Sequence, residues 1–313
     1  MRYFDLHCDT MTECLEKGKE LCKNDLHIDL ERAKKTFDGY VQCYAAWIPD
    51  SLHGDAAFRR FCEIAEKLCA EEQKNCALLE RCRAEGDLCR AETNGKFGEV
   101  LTVENGSALG GKLENIQELK KRGVRMMTLT WNGENEIGRG VRSEGVIGLS
   151  DFGRQAVPEL EQNGIVVDIS HASPELFYDV AAIVRKPFVA SHSNAQKICS
   201  HPRNLTDEQF EAIRRSGGLV GLNFYEAFLN DKPEQASMQD VLRHAEYFLS
   251  LGGEDVLAVG GDLDGSTLPG DMPGIEALGS LYELFLRENY SESLVRKIFY
   301  ENAANFFKRN NLL

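Results

Sequence analysis

Eight short apolar segments of strand-like composition alternate along this chain with segments of helical pattern. The strand-like segments are Tyr3–His7, Val41–Trp47, Val100–Glu104, Arg125–Thr130, Val166–Ser170, Phe188–Ser191, Leu219–Asn223 and Val256–Gly260. Repeated alternation of strand and helix is typical of a parallel sheet with right-handed crossovers. Residues 165–169 are almost continuously apolar, which predicts a strand buried on both faces. The pattern therefore predicts an α/β fold.

Helix start signals stand between several of these strands, in the form of Ser, Thr or Pro before an amphipathic segment. The signals and the helices that they predict are Ser150 before Asp151–Gln162, Ser173-Pro174 before Glu175–Val184, and Thr206-Asp207-Glu208 before Gln209–Arg215. A longer helical segment over Asp55–Cys89 follows the second strand. We expect this segment to be an extra helical excursion on the outside of the sheet.

The sheet is predicted to close into a single (β/α)8 TIM-like barrel. No Gly-x-Gly-x-x-Gly motif follows the first strand. Polar residues also lie at the ends of many strands, whereas an open doubly wound sheet would concentrate them at a single topological switch point. Both observations disfavour such a sheet. The 313 residues could also divide into two average domains, but about 250 residues is the usual size of one such barrel. We find no linker or short repeat, so residues 1–313 are predicted to form one domain.

The charge and the cysteines bear on partners and on the compartment. The chain has 36 Lys and Arg against 50 Asp and Glu, a formal charge of −14, and its cations are scattered among acids, which argues against nucleic-acid or anionic-membrane partners. No apolar signal segment opens the sequence, and no apolar run approaches the roughly 20 residues that span a bilayer. The ten cysteines form no Cys-x-x-Cys pair and fit a reducing compartment. We expect a soluble, cytoplasmic protein.

The first strand ends in a His-x-Asp motif, formed by His7, Cys8 and Asp9. In an extended segment, residues i and i+2 point to the same side, so the imidazole and the carboxylate can converge on one ion while Cys8 faces away. A histidine at a strand end is, however, more often a hydrogen-bonded structural residue. The motif indicates a metal site only when it is considered together with the residues at the ends of the other strands.

Four further strands end in side chains that bind metals or transfer protons, namely Glu104, His171, His192 and Asp262. The carboxyl ends of barrel strands meet at one rim, where barrel enzymes build their active sites. Imidazoles together with carboxylates select a borderline divalent ion such as zinc, and a carboxylate that can bridge is compatible with two metals. His27, His53 and His244 fall in helical or loop segments, where solvated or capping roles are the default.

The same residues belong to longer motifs that run in order along nearly the whole chain. The motifs are His7-x-Asp9, Val103–Gly106, Ile169–Ser173, Ala190–Ala195, His201–Asn204, Gly260–Gly265 and the closing Glu301–Asn305. In these motifs the sequence resembles the renal or membrane dipeptidase family, a peptidase group within the amidohydrolase-like barrels. The resemblance implies a zinc dipeptidase that acts on short peptides and tolerates a D-residue at the C-terminal position. It also implies a homodimer.

The resemblance assigns a role in metal binding to five of these residues. His7 and Asp9 would hold one zinc ion, and His171 and His192 would hold the other. Glu104, together with a water or hydroxide, would bridge the two ions.

Three further residues receive roles toward the substrate. The resemblance implies that Arg203 binds the terminal carboxylate of the peptide, and a guanidinium offers the planar fork that such a group needs. It implies that Asp262 handles the amino group or the transferred proton. Tyr225 would line the same pocket.

One position departs from the family pattern. After the fourth strand the family usually offers a histidine that holds substrate and polarises the scissile carbonyl, whereas here Thr130 is followed by Trp131 and Asn132. Both residues can donate a hydrogen bond, but neither can carry a proton in the reaction. We predict that both contact substrate, with an aromatic wall of the pocket as the simpler role for Trp131. Carbonyl polarisation would then rest more on zinc.

The predicted reaction is the hydrolysis of a peptide bond by metal-activated water. Two cations would lower the pKa of a shared water from about 15.7 towards neutrality, and Asp262 would pass the proton to the departing amine. A second hypothesis is another metal-dependent amidohydrolase acting on a lactam, lactone or cyclic amide, although that branch commonly has His-x-His and a bridging lysine. A third is a non-catalytic metal-binding barrel, which would have little need of a bridging carboxylate.

Overall fold

A curled parallel sheet forms the centre of the fold. The computed structural model describes residues 1–145 and 148–313. Its strands are β1 (Arg2–Cys8), β2 (Gly39–Trp47), β3 (Leu79–Arg81), β4 (Phe97–Glu104), β5 (Met126–Thr128), β6 (Val166–Asp168), β7 (Val220–Leu222) and β8 (Leu257–Val259). The parallel sheet has the order β6-β5-β4-β2-β1-β8-β7, and β3 pairs with β4 beside this path. The prediction of an α/β fold with a parallel sheet is confirmed.

The remaining predicted strand, Phe188–Ser191, lies between the two ends of this path. Asp168 of β6 forms a parallel bridge with Val189, and Ala190 forms one with Val220 of β7. The N–H of Val189 donates to the carbonyl of Val167. This segment therefore joins β6 to β7 through isolated bridges rather than through a regular strand.

Helices follow most of the strands. They are α1 (Thr10–Glu16), α2 (Leu30–Thr36), α3 (Gly54–Lys74), α4 (Asp87–Thr93), α5 (Asn115–Lys121), α6 (Asp151–Gln162), α7 (Pro174–Ile183), α8 (Asp207–Ser216), α9 (Glu226–Leu229), α10 (Met238–Ser250), α11 (Leu278–Arg287), α12 (Glu292–Arg296) and α13 (Asn302–Arg309). The predicted start signals are confirmed, because Ser150, Ser173 and Thr206 each accept a hydrogen bond from a backbone N–H in the first turn. Among the described residues, no helix is both long and apolar enough to cross a bilayer.

The predicted continuous helix over Asp55–Cys89 is wrong. The helix α3 ends at Lys74, and the N–H of Asn75 closes its last turn on the carbonyls of Glu71 and Glu72. A turn separates this helix from β3, whose pairing with β4 outweighs the helical composition of its residues. Gly86, with a left-handed φ of 90°, then precedes α4. The predicted position of these helices as an excursion outside the sheet stays a prediction.

The apolar residues near the start of each strand pack against the C-terminal segment. One buried cluster combines Phe4, Val41, Val100, Met126, Val166, Val189, Leu219 and Ala258 with Phe306, Phe307, Leu312 and Leu313. The rings of Phe4 and Phe307 are stacked with centroids 5.4 Å apart. This cluster lies toward the end of the sheet where the strands begin, opposite the end of β1 and β4 that carries His7 and Glu104.

Glu99 is a buried acid on β4 outside the strand ends. Neither of its carboxylate oxygens has a hydrogen-bond partner among the described residues, and Arg81 Nε lies 3.5 Å from Oε1 without hydrogen-bond geometry. Burial raises the pKa of Glu99 to about 8, against the opposing charge of Arg81. The folded state therefore holds a proton that the unfolded chain releases at lower pH.

We expect this proton to make the stability depend on pH. The pKa of Glu99 is higher in the folded state than in the unfolded chain, so its contribution is fully present below about pH 4.5 and is lost as the pH rises towards 8. The variant Glu99→Gln has no such loss. We compare the free energies of unfolding of the two proteins, measured in urea. The variant value minus the wild-type value should increase by on the order of 4 kcal/mol between pH 4 and pH 9. A difference between the two proteins that does not change with pH would contradict this prediction.

Candidate active site

The end of β1 and the loop after β8 bring three buried side chains together. His7 Nε2 lies 3.5 Å from Asp9 Oδ2 and 3.9 Å from Asp262 Oδ1. The convergence of His7 and Asp9 was expected from an extended backbone, but β1 ends at Cys8 and Asp9 has φ −103° and ψ 13° at the start of α1. The two side chains meet because the chain turns into the helix there.

Glu104, the last residue of β4, lies between this cluster and two more histidines. Its Oε2 is 3.6 Å from His7 Nε2. Its Oε1 is 2.8 Å from His171 Nε2 and 3.5 Å from His192 Nε2. Two overlapping groups have the spacing of metal ligands, namely His7, Glu104 and His192, and His7, Asp9 and Asp262. The structure thus brings together all five predicted metal ligands and Asp262.

The electrostatics of these groups suit a cation. Burial lowers the pKa of His171 to about 4 and that of His192 well below its ordinary value, so both rings are neutral. Burial opposes a charge on Glu104 as well, but the charge of His7 holds the pKa of Glu104 well below its usual range. Neutral imidazole nitrogens and an ionised carboxylate are the donors that divalent metals such as zinc prefer.

Two buried polar atoms in the cluster also have no partner in the protein. Among the described residues, neither His7 Nε2 nor Asp9 Oδ1 has a hydrogen-bond partner. A buried polar group without a partner costs about 1–3 kcal/mol, and a metal ion would satisfy both atoms. The residues present therefore fit a metal.

The backbone is strained at several of these positions. His171, Asp262 and the neighbouring Asn105 and Asp264 have positive φ angles between 58° and 84°. Asn, Asp and His tolerate this left-handed region better than other non-glycine residues do. Such conformations cost about 1–3 kcal/mol each and cluster at functional sites.

A cavity of about 540 Å³ opens onto the cluster. Of the predicted substrate-contacting residues, Trp131, Asn132 and Tyr225 line it, and so do Trp47, Phe228 and Arg142. The Trp131 indole packs edge-on against Trp47 with centroids 5.1 Å apart, which places it in an aromatic wall. Asn132 Oδ1 lies 3.1 Å from His171 Nδ1, so this residue contacts a predicted metal ligand as well as the cavity.

Arg203 is buried beside the main cavity rather than in its wall. It is 5% exposed and lines a smaller adjoining cavity of about 80 Å³ with His171 and Ser193. Its guanidinium donates to Ser193 Oγ at 3.4 Å and lies over the Phe228 ring at 5.3 Å. Burial lowers the pKa of Arg203 to about 10, against the charges of the nearby acids.

Arg142 is a cavity residue that the sequence analysis missed. It lies in the long loop after β5 and is exposed. No motif, strand end or helix start marks its position, so no signal in the sequence could have singled it out.

The chain is similar to known proteins over almost its whole length. Residues 1–312 match the sequence profile of a family described as membrane dipeptidase, peptidase family M19. The chain belongs to this membrane dipeptidase family. The predicted family and the predicted enzyme class, a metallo-dipeptidase, are thereby confirmed.

Relatives of this M19 chain include proteins of known structure. The solved structure of dipeptidase AC, a metallo peptidase of family M19, is 27% identical, with a TM-score of 0.93 and 99% of both chains covered. A metallo peptidase from Rhodobacter sphaeroides, liganded with a phosphinate mimic of the dipeptide L-Ala-D-Ala, is 26% identical with the same TM-score and coverage. The chain is also 32% identical to a Klebsiella pneumoniae protein described as an uncharacterized protein in the pqqA 5′ region, over 74% of this chain and 88% of that protein.

Proposed function

We propose that this M19 chain is a binuclear zinc dipeptidase that hydrolyses dipeptides, including those with a D-residue at the C-terminal position. The observation that carries the proposal is the shared position of Glu104, which contacts His7 on one side and both His171 and His192 on the other. A single carboxylate between two sets of ligands is what a two-metal site needs. The ligand of the Rhodobacter sphaeroides relative supports the D-residue part of the proposal.

Each residue of the cluster has a role in this proposal. His7 and Asp9 would hold one zinc ion, His171 and His192 would hold the other, and Glu104 would bridge them. Bound zinc supplies two kinds of chemistry, since it lowers the pKa of a water towards neutrality and polarises a carbonyl. The protein side chains have to orient the peptide and move the proton.

Asp262 is the residue that we assign to the proton. Its Oδ2 accepts a hydrogen bond from Asn223 Nδ2 at 3.1 Å, which fixes the carboxylate and leaves Oδ1 on the side of His7. Burial raises the pKa of Asp262 to about 7, with His7 opposing the shift. A group with a pKa near the working pH can both accept a proton from water and return it to the departing amine.

The walls of the cavity would orient the peptide. We assign the terminal carboxylate of the substrate to Arg203, although reaching this buried guanidinium requires the substrate to enter the smaller cavity beside His171. Trp131 and Tyr225 would pack against the substrate, and Asn132 would hold His171. The imidazole beside Trp131 is that of His171, with ring centroids 6.2 Å apart, and it is assigned to zinc in this proposal, so polarisation of the carbonyl falls to the metals.

A substrate panel tests the proposal. Purified, zinc-loaded protein should hydrolyse L-L and L-D dipeptides, and it should discriminate against their C-terminal amides, because an amide cannot pair with a guanidinium as a carboxylate does. The loss of a charged hydrogen bond corresponds to about 1.5–3 kcal/mol, or about 10- to 100-fold in kcat/KM.

The alternatives give different results in the same panel. Hydrolysis of lactams or lactones without dipeptides would favour the other amidohydrolases. Carefully purified protein with fewer than one zinc per chain, and no activity after metal is added, would favour a non-catalytic barrel. Equal rates on free and amidated dipeptides would remove Arg203 from the proposal.

The proposal also covers the overall architecture, the oligomeric state and the cellular compartment. We propose that residues 1–313 form one (β/α)8 barrel, which the bridges of Val189 and Ala190 to both neighbouring strands support. The helices between β2 and β4 would lie outside it. We further propose a homodimer in the cytoplasm, which size-exclusion chromatography and cell fractionation would test.

A further inference from the structure

Asp168, the last residue of β6, is completely buried and accepts four hydrogen bonds. The backbone N–H groups of Ser170 and Ser191 donate to its Oδ1 at 3.0 and 2.9 Å. The hydroxyls of Thr128 and Ser191 donate to its Oδ2 at 2.5 Å each. In all four contacts Asp168 is the acceptor, so both of its oxygens are surrounded by donors.

The hydroxyl of Ser191 also contacts the ring of His192, with Oγ 2.7 Å from Nδ1. A serine hydroxyl has one proton, and the Ser191 proton lies in the bond to Asp168. Toward His192 the hydroxyl can therefore only accept. The proton of the neutral imidazole must then be on Nδ1, which leaves the Nε2 lone pair facing Glu104.

The backbone fixes Ser191 from the other side. A Cβ at Gly221 or Gly260 would lie 1.9 or 1.7 Å from the Ser191 carbonyl oxygen, so the backbone of β7 and the residue that follows β8 approach this carbonyl more closely than any other residue allows. The N–H of His192 donates to Ser170 Oγ at 3.1 Å. The backbone of Ser191, whose own N–H donates to Asp168, therefore cannot shift away from Asp168 without breaking these contacts.

We propose that Asp168 and Ser191 are positioning residues that hold His192 in the Nδ1–H tautomer and thereby set the affinity of the site for zinc. The inference rests on the proposed zinc site. His171 Nε2 lies only 3.0 Å from His192 Nε2, and Asn132 Oδ1 faces His171 Nδ1 in the same way. With both protons on Nδ1, two lone pairs face each other, and their repulsion is relieved when a cation binds between them.

Two substitutions test the direction of the proton. Ser191→Ala removes the acceptor and leaves His192 free to adopt either tautomer. Asp168→Asn keeps the shape but can place an N–H against Ser191 Oγ, so that the hydroxyl donates to His192 Nδ1 and drives the proton to Nε2. Loss of such outer hydrogen bonds typically weakens metal binding by about 10- to 100-fold. We expect a loss of about 10-fold for Ser191→Ala and about 100-fold for Asp168→Asn, measured by chelator competition on zinc-loaded protein.

A matched control separates this effect from lost stability. Ser150→Ala also deletes a hydrogen-bonded serine, since Ser150 caps α6 and donates to the Glu136 carbonyl at 2.5 Å, and its loss costs about 1 kcal/mol. This variant should unfold at lower urea concentration and bind zinc as the wild type does.

The zinc affinity of either variant can overturn the inference. Ser191→Ala with wild-type zinc affinity would overturn it, and so would Asp168→Asn with a loss no greater than that of Ser191→Ala. If Asp168→Asn does not fold, Ser191→Ala alone decides. Wild-type protein that binds no zinc would instead defeat the proposed function on which the inference rests.

Discussion

Replacing Glu104 by glutamine is expected to abolish dipeptide hydrolysis and to strip the protein of its metal. The carboxylate lies within 3.6 Å of His7 Nε2, His171 Nε2 and His192 Nε2, so it is the contact common to both sets of ligands. Glutamine keeps the shape but removes the negative charge. The metal contributes several kcal/mol to the transition state, and its loss corresponds to a fall in kcat/KM of at least about a thousandfold.

The same strand supplies a matched control for this experiment. Glu99→Gln makes the identical substitution five positions earlier in β4, at a buried residue that belongs to neither group with the spacing of metal ligands. It should leave zinc content, determined by elemental analysis, and activity at wild-type values. Glu104→Gln protein that keeps two zinc ions per chain and full activity would contradict the bridging role.

Asp262→Asn is expected to slow catalysis while leaving metal and substrate bound. Asparagine cannot accept or return a proton, and the loss of a general acid–base group typically lowers kcat by about 10²- to 10⁴-fold. His7, Asp9 and Glu104 remain to hold the metal, so zinc content and KM should change little. Steady-state kinetics with a dipeptide, together with metal analysis of the same sample, separate the two effects.

The dependence of kcat on pH provides a second test of the proton role of Asp262. Burial raises its pKa to about 7, and bound cations would lower that value because they favour the carboxylate. The carboxylate is the form that accepts a proton, so wild-type kcat should fall as the pH drops through a pKa below 7. In Asp262→Asn this acidic limb should be missing.

Asp264 offers the comparison for this second experiment. It lies in the same loop with a positive φ of 67°, but its carboxylate accepts from Thr10 Oγ1 and the N–H of His27, each at 2.6 Å. Asp264→Asn should lower kcat much less than Asp262→Asn does. Equal losses in the two variants, or an unchanged acidic limb in Asp262→Asn, would count against the proton role.

The grouping of side chains at the carboxyl edge of the sheet could be predicted from the sequence, because parallel strands all end at the same edge. Side chains that end such strands meet at one edge, so His171, His192 and Glu104 could be placed together from strand ends alone. Helix starts were equally readable, since Ser150 and Ser173 satisfy a local hydrogen-bonding need that is independent of the rest of the fold.

Features that depend on distant residues could not be predicted. β3 exists because Phe97–Glu99 offers it a partner, although its own residues continue a helical composition. The contact between Ser191 and Asp168 depends on two strands whose register the sequence does not state. The separation of Arg203 from the main cavity depends on Phe228, which packs over its guanidinium.

The cluster at the start of the strands sets the order of events when the chain is made. Phe4 stacks on Phe307, and the same cluster includes Leu313, so the inside of the sheet cannot be completed until residues 306–313 have been synthesised. All the proposed ligands, from His7 to His192, are synthesised well before that. Contacts between such distant residues slow folding and prolong the exposure of apolar strands. The nascent chain therefore carries the five proposed metal ligands before it has the core that aligns them.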